Sequence, residues 1–364
     1  IRDKLGNPTG VFNETAMGLI TRHIPETTLE MDQRALRLAI EECLQYGITS
    51  FQDAGASQQT IDLYRQAVDD GTMSIRMWVM LSGDDQELLN QWFKSGPEVG
   101  YGQQHLTVRS VKMYMDGALG SRGAWLLDEY HDRPGHYGHS TTPIDSVLDV
   151  AKLALKSGFQ VCSHAIGDRA IREVMDRYQQ AFEMYPDQSR DARFRIEHAQ
   201  HISAADLPRF AQLGVIASMQ AIHLSSDRPW AIDRLGIERI EEGAYVWQKL
   251  LQSGAVVMNG SDVPVEPLDP LASFYASVTR KTLQGKPENG YEPNQKMTRE
   301  QALRSYTLDA AFGGFEEQIK GSIEVGKLAD LTVFSQDIMK VPEEEILNTE
   351  VVYTIIGGKV YKNE

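Results

Sequence analysis

Short apolar runs alternate along the chain with stretches in which apolar residues recur every three or four positions. The runs are apolar almost throughout, which is typical of strands buried on both faces. The strands predicted in this way are 48–51, 73–81, 108–115, 159–164, 194–198, 215–219 and 256–259. Helical periodicity is clearest at 32–46, 146–156, 170–185, 204–213, 244–252 and 299–306. The alternation predicts parallel βαβ units, and therefore an α/β fold.

Several of the predicted helices end in a glycine immediately before the next strand. These glycines are Gly47, Gly158, Gly214 and Gly254. A glycine there allows the left-handed turn that closes a helix and redirects the chain. Seven strands of this kind before Glu266 limit the fold to a doubly wound sheet or a (β/α)8 TIM barrel.

The C-terminal part has a different pattern. After the helix at 299–306, short apolar stretches at 321–327, 329–334, 351–356 and 359–361 predict strands. Gly357 and Gly358 separate the last two, as in a β-hairpin. We therefore predict two parts, an α/β barrel or sheet over residues 1–315 and a small antiparallel β-unit over residues 316–364.

Composition excludes several classes of protein. The 364 residues include 36 Lys+Arg and 51 Asp+Glu, for a formal net charge of −15, which disfavours nucleic acid and anionic membranes as partners. No window approaches the roughly 18 uncharged apolar residues of a spanning helix. Two cysteines exclude a disulfide scaffold and a cysteine-built zinc site. With no visible secretory signal, we expect a soluble cytoplasmic protein.

Polar side chains follow the predicted strands at the ends where ligands bind in parallel α/β folds. They include Lys112, His164, His198 and Asp262. Imidazole and carboxylate groups are good ligands for Zn²⁺, and an aspartate beside a metal can take a proton from bound water. Each residue alone also has an ordinary structural explanation, such as a salt bridge between Lys112 and Asp116. Their joint occurrence at one end of a sheet favours a metal site.

The residues around these positions resemble motifs of the amidohydrolase superfamily. The similar segments are 111–122, 163–170, 195–200, 260–266 and 326–331. They are most similar to amidohydrolase family 3, the branch that includes N-substituted formamide deformylases. The resemblance extends from about Gly6 to the C-terminus, in order and in spacing. It implies a (β/α)8 TIM barrel, a β-sandwich built from both chain ends, and one or two Zn²⁺ or similar divalent ions per chain.

The resemblance also implies roles for individual residues. His164 and His198 would bind the second metal, and Lys112 would bridge two metals after carboxylation by CO₂. Asp262 would bind the first metal and act as the catalytic base.

Other residues near the strand ends are candidates for substrate contacts. Gln220 and His223 follow the strand at 215–219 and could contact a substrate carbonyl or line the pocket, although a structural role is equally compatible with the sequence. Asp116, which follows Lys112, is a further candidate for shaping the substrate loop.

The sequence departs from the family pattern in one respect. The family's His-x-His pair, at the end of strand one, does not occur in this chain. The run at 48–51 corresponds to the family's second strand, so strand one and half of the sandwich have no counterpart. We therefore expect that Ile1 is not the natural N-terminus, or that another segment fills the gap.

The function expected from these features is metal-dependent hydrolysis of a non-peptide C–N bond in a small amide or formamide-like molecule. The alternative is a truncated or degenerate amidohydrolase-like barrel that binds a ligand without turnover. A weaker third possibility is a lyase or isomerase on the same barrel. The expected partner is a small-molecule amide substrate, and a homo-oligomer is compatible with the sequence.

Overall fold

The computed structural model describes residues 1–12 and 14–362. Its larger sheet contains parallel strands in the order β1-β2-β4-β5-β6-β7-β8, with the short β3 antiparallel to β4. These strands are β1 (Ser50–Ala56), β2 (Arg76–Ser82), β3 (Glu98–Gly100), β4 (Leu106–Tyr114), β5 (Gln160–Ala165), β6 (Arg195–His198), β7 (Ile216–Met219) and β8 (Val257–Asn259). The sheet curls as part of a barrel, which confirms the predicted α/β architecture.

Helices connect consecutive parallel strands, as the alternating pattern predicts. Within the described ranges the α-helices are α1 (Gly18–Thr21), α2 (Leu29–Gln45), α3 (Gln58–Asp69), α4 (Gln86–Ser95), α5 (Tyr101–Gln104), α6 (Ile144–Ser157), α7 (Asp168–Met184), α8 (Pro186–Ser189), α9 (Leu207–Leu213), α10 (Ile222–Leu235), α11 (Ile237–Gly243), α12 (Trp247–Gln252), α13 (Pro270–Thr279), α14 (Arg299–Tyr306) and α15 (Leu308–Gly313). Short 3-10 helices lie at Glu14–Met17, Pro293–Gln295 and Glu343–Asn348.

Each of the seven predicted parallel strands has a counterpart in the structure, with ends that differ by a few residues. Two of the predicted helix-ending glycines, Gly158 and Gly214, are the C-caps of α6 and α9, with φ values of 81° and 64°. In the described part of the chain, the order of the sheet ends at β1 on one side and β8 on the other. Seven strands in this arrangement match the expectation of a barrel without a counterpart to strand one.

Side chains at the amino ends of the strands hold the segment formed by the last residue of α15 and the residue after it. The Trp78 indole donates to the Gly314 carbonyl at 3.1 Å. The Gly313 carbonyl accepts from Gln160 Nε2 at 3.0 Å and from Arg195 Nη2 at 2.6 Å. This segment therefore covers the amino end of the sheet, and the predicted site residues lie at the opposite, carboxyl end.

The C-terminal residues form a separate three-stranded antiparallel sheet in the order β11-β10-β9. Its strands are β9 (Leu331–Phe334), β10 (Val351–Ile356) and β11 (Lys359–Lys362). The predicted hairpin at Gly357 and Gly358 is confirmed by the pairing of β10 with β11. A buried ion pair between Arg76 of β2 and Asp330 joins this sheet to the larger one, with Nε and Oδ2 2.5 Å apart. The division at residues 315 and 316 stays a prediction.

The predicted strand at 321–327 is wrong, because this segment forms bends and turns. Its apolar side chains are not buried, with Ile323 87% exposed and Val325 108% exposed. Gly326, at a φ of 95°, turns the chain before a ladder can form. A strand needs a paired neighbour as well as an apolar pattern, and this segment pairs with no strand of the described chain.

The described residues contain no helix that is both long and apolar enough to cross a membrane.

Candidate metal centre

Four residues at the carboxyl end of the larger sheet bring their side chains together. His164 lies on β5, His198 ends β6, His223 lies in the first turn of α10, and Asp262 follows β8. The ring centroids of His164 and His198 are 4.5 Å apart, and those of His198 and His223 are 5.8 Å apart. His223 Nε2 lies 3.2 Å from Asp262 Oδ2. The four side chains therefore form one cluster, although they are distant in sequence.

Three members of this cluster could hold a metal ion. His198, His223 and Asp262 each offer one ligand atom, and these atoms lie within 4.8 Å of one another. Two imidazole nitrogens and a carboxylate oxygen form a donor set that suits Zn²⁺. His223 Nε2 is buried, and it makes no hydrogen bond of normal geometry within the described residues. An ion bound here would give this nitrogen a partner, so the residues present fit a divalent metal.

The three residues of this group differ from the four metal ligands that the sequence motifs predict. His198 and Asp262 were expected as ligands, whereas His223 was expected to contact substrate. His164 lies beside the group of three and is not part of it. Lys112 is close enough for its charge to act on His164, His198 and Asp262. Ligation by these two residues stays a prediction.

Lys112 is buried within β4, with 5% of its surface exposed. Its Nζ lies 4.9 Å from the centroid of the Tyr114 ring. Asp116 faces His164 instead, and the salt bridge between Lys112 and Asp116 that the sequence allowed is not formed. The positive charge of Lys112 therefore acts on the neighbouring cluster.

Burial and charge keep the two imidazoles of β5 and β6 neutral. Burial, together with the charge of Lys112, lowers the pKa of His164 to about 3. Burial also lowers the pKa of His198 well below its ordinary value, with further contributions from His164 and Lys112. A neutral imidazole is the form that binds metals. Both rings are thus in their ligating state at neutral pH.

Asp262 is ionised in the same environment. Burial alone would raise its pKa, but the adjacent His223 side chain and the charge of Lys112 lower it overall. An ionised carboxylate can bind a cation or accept a proton. The cluster thus combines the neutral imidazoles of His164 and His198 with one negative oxygen donor.

The backbone at two of these positions adopts an uncommon conformation. His198 and Asp262 have φ values of 74° and 60°, in the left-handed region that residues with a Cβ seldom occupy. Such conformations are kept where the surrounding structure enforces them, and they are frequent at functional sites. The hydrophobic pattern contains no signal for this feature, because His198 ends an ordinary apolar strand.

Two residues predicted to contact substrate lie against the histidines. Gln220 Oε1 accepts a hydrogen bond from His198 Nδ1 at 2.8 Å, which leaves the other ring nitrogen available to a ligand. Asp116 is 2% exposed and lies beneath His164, with its Oδ1 3.3 Å from His164 Nε2. Direct contact of Asp116, Gln220 and His223 with substrate stays a prediction.

Comparison with known proteins gives consistent results. The amidohydrolase family profile matches residues 1–361. The chain is 32% identical over 365 residues to the protein LONG AFTER FAR-RED 3 of Arabidopsis thaliana, covering 97% of this chain and 61% of that protein. It is 27% identical over 370 residues to the N-substituted formamide deformylase of Arthrobacter pascens, covering 98% of this chain and 66% of that enzyme.

A solved structure resembles the fold of this chain over most of the length of the chain. The metal-dependent hydrolase from Pyrococcus furiosus superposes with a TM-score of 0.74 at 27% identity, covering 89% of this chain and 66% of that one. The chain thus spans less than two thirds of the length of LONG AFTER FAR-RED 3 and about two thirds of the other two proteins.

Proposed function

Because the chain belongs to the amidohydrolase family, we propose that it takes part in metal-dependent hydrolysis of a non-peptide C–N bond in a small amide or formamide-like molecule. The observation that carries the proposal is the group formed by His198, His223 and Asp262 at the carboxyl end of the parallel sheet. The similarity to N-substituted formamide deformylase supports the class of bond. A small molecule is the substrate size that such a site at strand ends accommodates.

Several residues would hold the metal. His198, His223 and Asp262 would bind one divalent ion, such as Zn²⁺, and His164 with Lys112 would provide a second position. The ammonium group of Lys112 would first lose a proton, and the resulting amine would react with CO₂ to form a carbamate with release of a second proton. This reaction replaces a buried positive charge by an anionic ligand. A bound ion supplies a water of lowered pKa and polarises the substrate carbonyl.

The chain's own groups would handle the protons. Asp262, which is ionised, would accept a proton from the water as the water oxygen adds to the carbonyl carbon of the substrate. The same carboxyl would then deliver that proton to the nitrogen as the C–N bond breaks, so an acid and an amine are released. Gln220 would keep the proton of His198 on Nδ1 during these steps.

A metal analysis combined with a substrate panel tests the proposal. We expect about one or two Zn²⁺-like ions per purified full-length chain, and release of amine from at least one member of a panel of N-formyl and N-acyl amines. His198→Ala should lose both properties, whereas His131→Ala, at an exposed position, should retain them. A protein that holds no metal and releases no amine would refute the proposal. Metal binding without turnover on any substrate would favour the ligand-binding alternative.

A further inference from the structure

We propose that Asp116 is a positioning residue that fixes the orientation and the protonated nitrogen of His164, so that this ring can bind metal. The inference rests on the proposed function, since it assigns a task within the same metal site. It departs from the sequence-based expectation that Asp116 contacts substrate. The contacts of its two carboxylate oxygens carry the assignment.

The carboxylate of Asp116 is held by backbone groups from two segments. Its Oδ2 accepts from the amides of Trp125 at 2.9 Å and Gly167 at 2.8 Å. Its Oδ1 accepts from the Ile166 amide at 3.0 Å. These bonds join the loop after β4 to the end of β5, where His164 lies. The carboxylate is therefore fixed in position and turned away from solvent.

The fixed carboxylate faces one nitrogen of His164. Asp116 Oδ1 lies 3.3 Å from His164 Nε2. This nitrogen is buried and makes no hydrogen bond of normal geometry among the described residues, so the carboxylate acts on it through its charge. The His164 side chain is still 13% exposed, so other atoms of the ring face the open end of the sheet. Burial raises the pKa of the Asp116 carboxyl to about 7, while the three backbone amides that donate to it stabilise its ionised form. That ionised form can only accept hydrogen bonds. It therefore favours the form of His164 with the proton on Nε2, which leaves the lone pair of Nδ1 for a metal.

A second aspartate–histidine pair provides a natural comparison. Asp168 Oδ2 lies 3.5 Å from His201 Nε2, and both side chains are buried. Asp168 Oδ1 also accepts from the backbone amide of Leu127, which belongs to the same loop that Asp116 anchors. The two aspartates thus have similar burial and similar backbone contacts. They differ in that His201 is outside the cluster formed by His164 and its neighbours.

Replacing either aspartate by asparagine separates two effects, the anchoring of the loop after β4 and the positioning of the histidine ring. Asp116→Asn keeps the size of the side chain but turns one acceptor oxygen into a donor NH₂ group. Where this NH₂ faces His164 Nε2, it favours the proton on Nδ1 and so blocks the nitrogen assigned to the metal. Asp168→Asn makes the same chemical change beside His201. Both variants should lose some thermal stability, whereas Asp116→Asn alone should weaken metal binding.

The main experiment measures Zn²⁺ affinity by competition with a chromophoric chelator, using the full-length protein and both variants. We expect roughly 10- to 100-fold weaker binding for Asp116→Asn, the usual effect of losing a partner of a metal-binding histidine. Asp168→Asn should bind as the wild-type protein does. Equal affinities of the two variants would overturn the inference. A wild-type protein that binds no Zn²⁺ would instead refute the proposed function, and the inference with it.

Two further measurements keep the inference testable if Asp116→Asn folds poorly. Nitrogen NMR of the metal-free wild-type protein, with the His164 signals assigned by their absence in His164→Ala, should show the proton on Nε2. A proton on Nδ1 would overturn the assignment. In the His164→Ala background, Asp116→Asn should cause no further loss of Zn²⁺ affinity, because its effect passes through the missing ring. A second, additive loss would point to a general structural effect.

Discussion

The turn between β5 and α7 passes so close to the loop after β4 that only glycine fits at position 167. A Cβ on Gly167 would lie 2.1 Å from the carbonyl oxygen of Trp125, 2.6 Å from its carbonyl carbon and 2.7 Å from its nitrogen. All three are backbone atoms, which cannot move aside as a flexible side chain would. The φ of Gly167 is −78°, which alanine adopts without strain, so Gly167→Ala tests this contact alone.

The size of the effect follows from the hydrogen bonds at the contact. The Trp125 carbonyl accepts from the amides of Arg169 at 3.1 Å and Ala170 at 3.2 Å. The Trp125 and Gly167 amides both donate to Asp116. If the methyl group separates the two segments, at least two of these bonds are lost. Because each unsatisfied buried group costs about 1–3 kcal/mol, we expect Gly167→Ala to lower the free energy of unfolding by about 2–6 kcal/mol.

Urea titrations followed by circular dichroism would measure this change. Gly18→Ala is the matched control, because Gly18 lies in α1 and a Cβ there would meet no atom within 4 Å beyond its chain neighbours and its own helix backbone. The control should change the free energy of unfolding by less than about 1 kcal/mol. A Gly167→Ala protein as stable as this control would refute the close approach between the two segments.

Further predictions concern the ion pair between the sheets, the cysteines and the site backbone. Arg76→Met leaves the buried Asp330 carboxylate without its cation and should cost about 3–5 kcal/mol, measured by urea unfolding. Burial raises the pKa of the Cys43 and Cys162 thiols to about 12, so both should resist thiol reagents at pH 8 until the protein unfolds. Since the unfolded thiols ionise near pH 9 and the folded ones do not, the free energy of unfolding should decrease from about pH 9 to 12, and replacing both cysteines by alanine should reduce that decrease. Asp262 has a φ of 60°, so Asp262→Gly should be about 1 kcal/mol more stable than Asp262→Ala; the reverse order in thermal melts would contradict backbone strain there.

The sequence predicts the strand ends well because their signal is local. His164, His198 and Asp262 each follow or end an apolar run, and parallel strands bring their carboxyl ends to one edge. His223 is different, since it lies in the first turn of α10. Its distance to Asp262 depends on the orientation of α10 relative to β7, and no local sequence pattern predicts that orientation. The sequence therefore places His223 near the pocket, but its contact with Asp262 could not be predicted from spacing.

Asp116 is a second residue whose surroundings could not be predicted from the sequence, in this case because they depend on a loop. It follows a strand, as a substrate-binding residue would, and its sequence position gives no reason to exclude that role. The loop after β4 folds back so that the Trp125 amide reaches its carboxylate. Two more amides come from Ile166 and Gly167, at the end of another strand. The environment of Asp116 is thus built by tertiary contacts that the sequence pattern does not contain.

Energetic costs are concentrated at the carboxyl end of the sheet. His198 and Asp262 occupy left-handed backbone conformations, and burial disfavours the charged form of both His164 and His198. The buried Nε2 of His223 lacks a hydrogen bond of normal geometry among the described residues. Folded proteins satisfy most buried polar groups, and exceptions occur where a ligand or a reaction uses them. A divalent ion would give His223 Nε2 a ligand bond and balance the Asp262 charge. Residues that destabilise the metal-free protein would therefore stabilise the metal-bound protein.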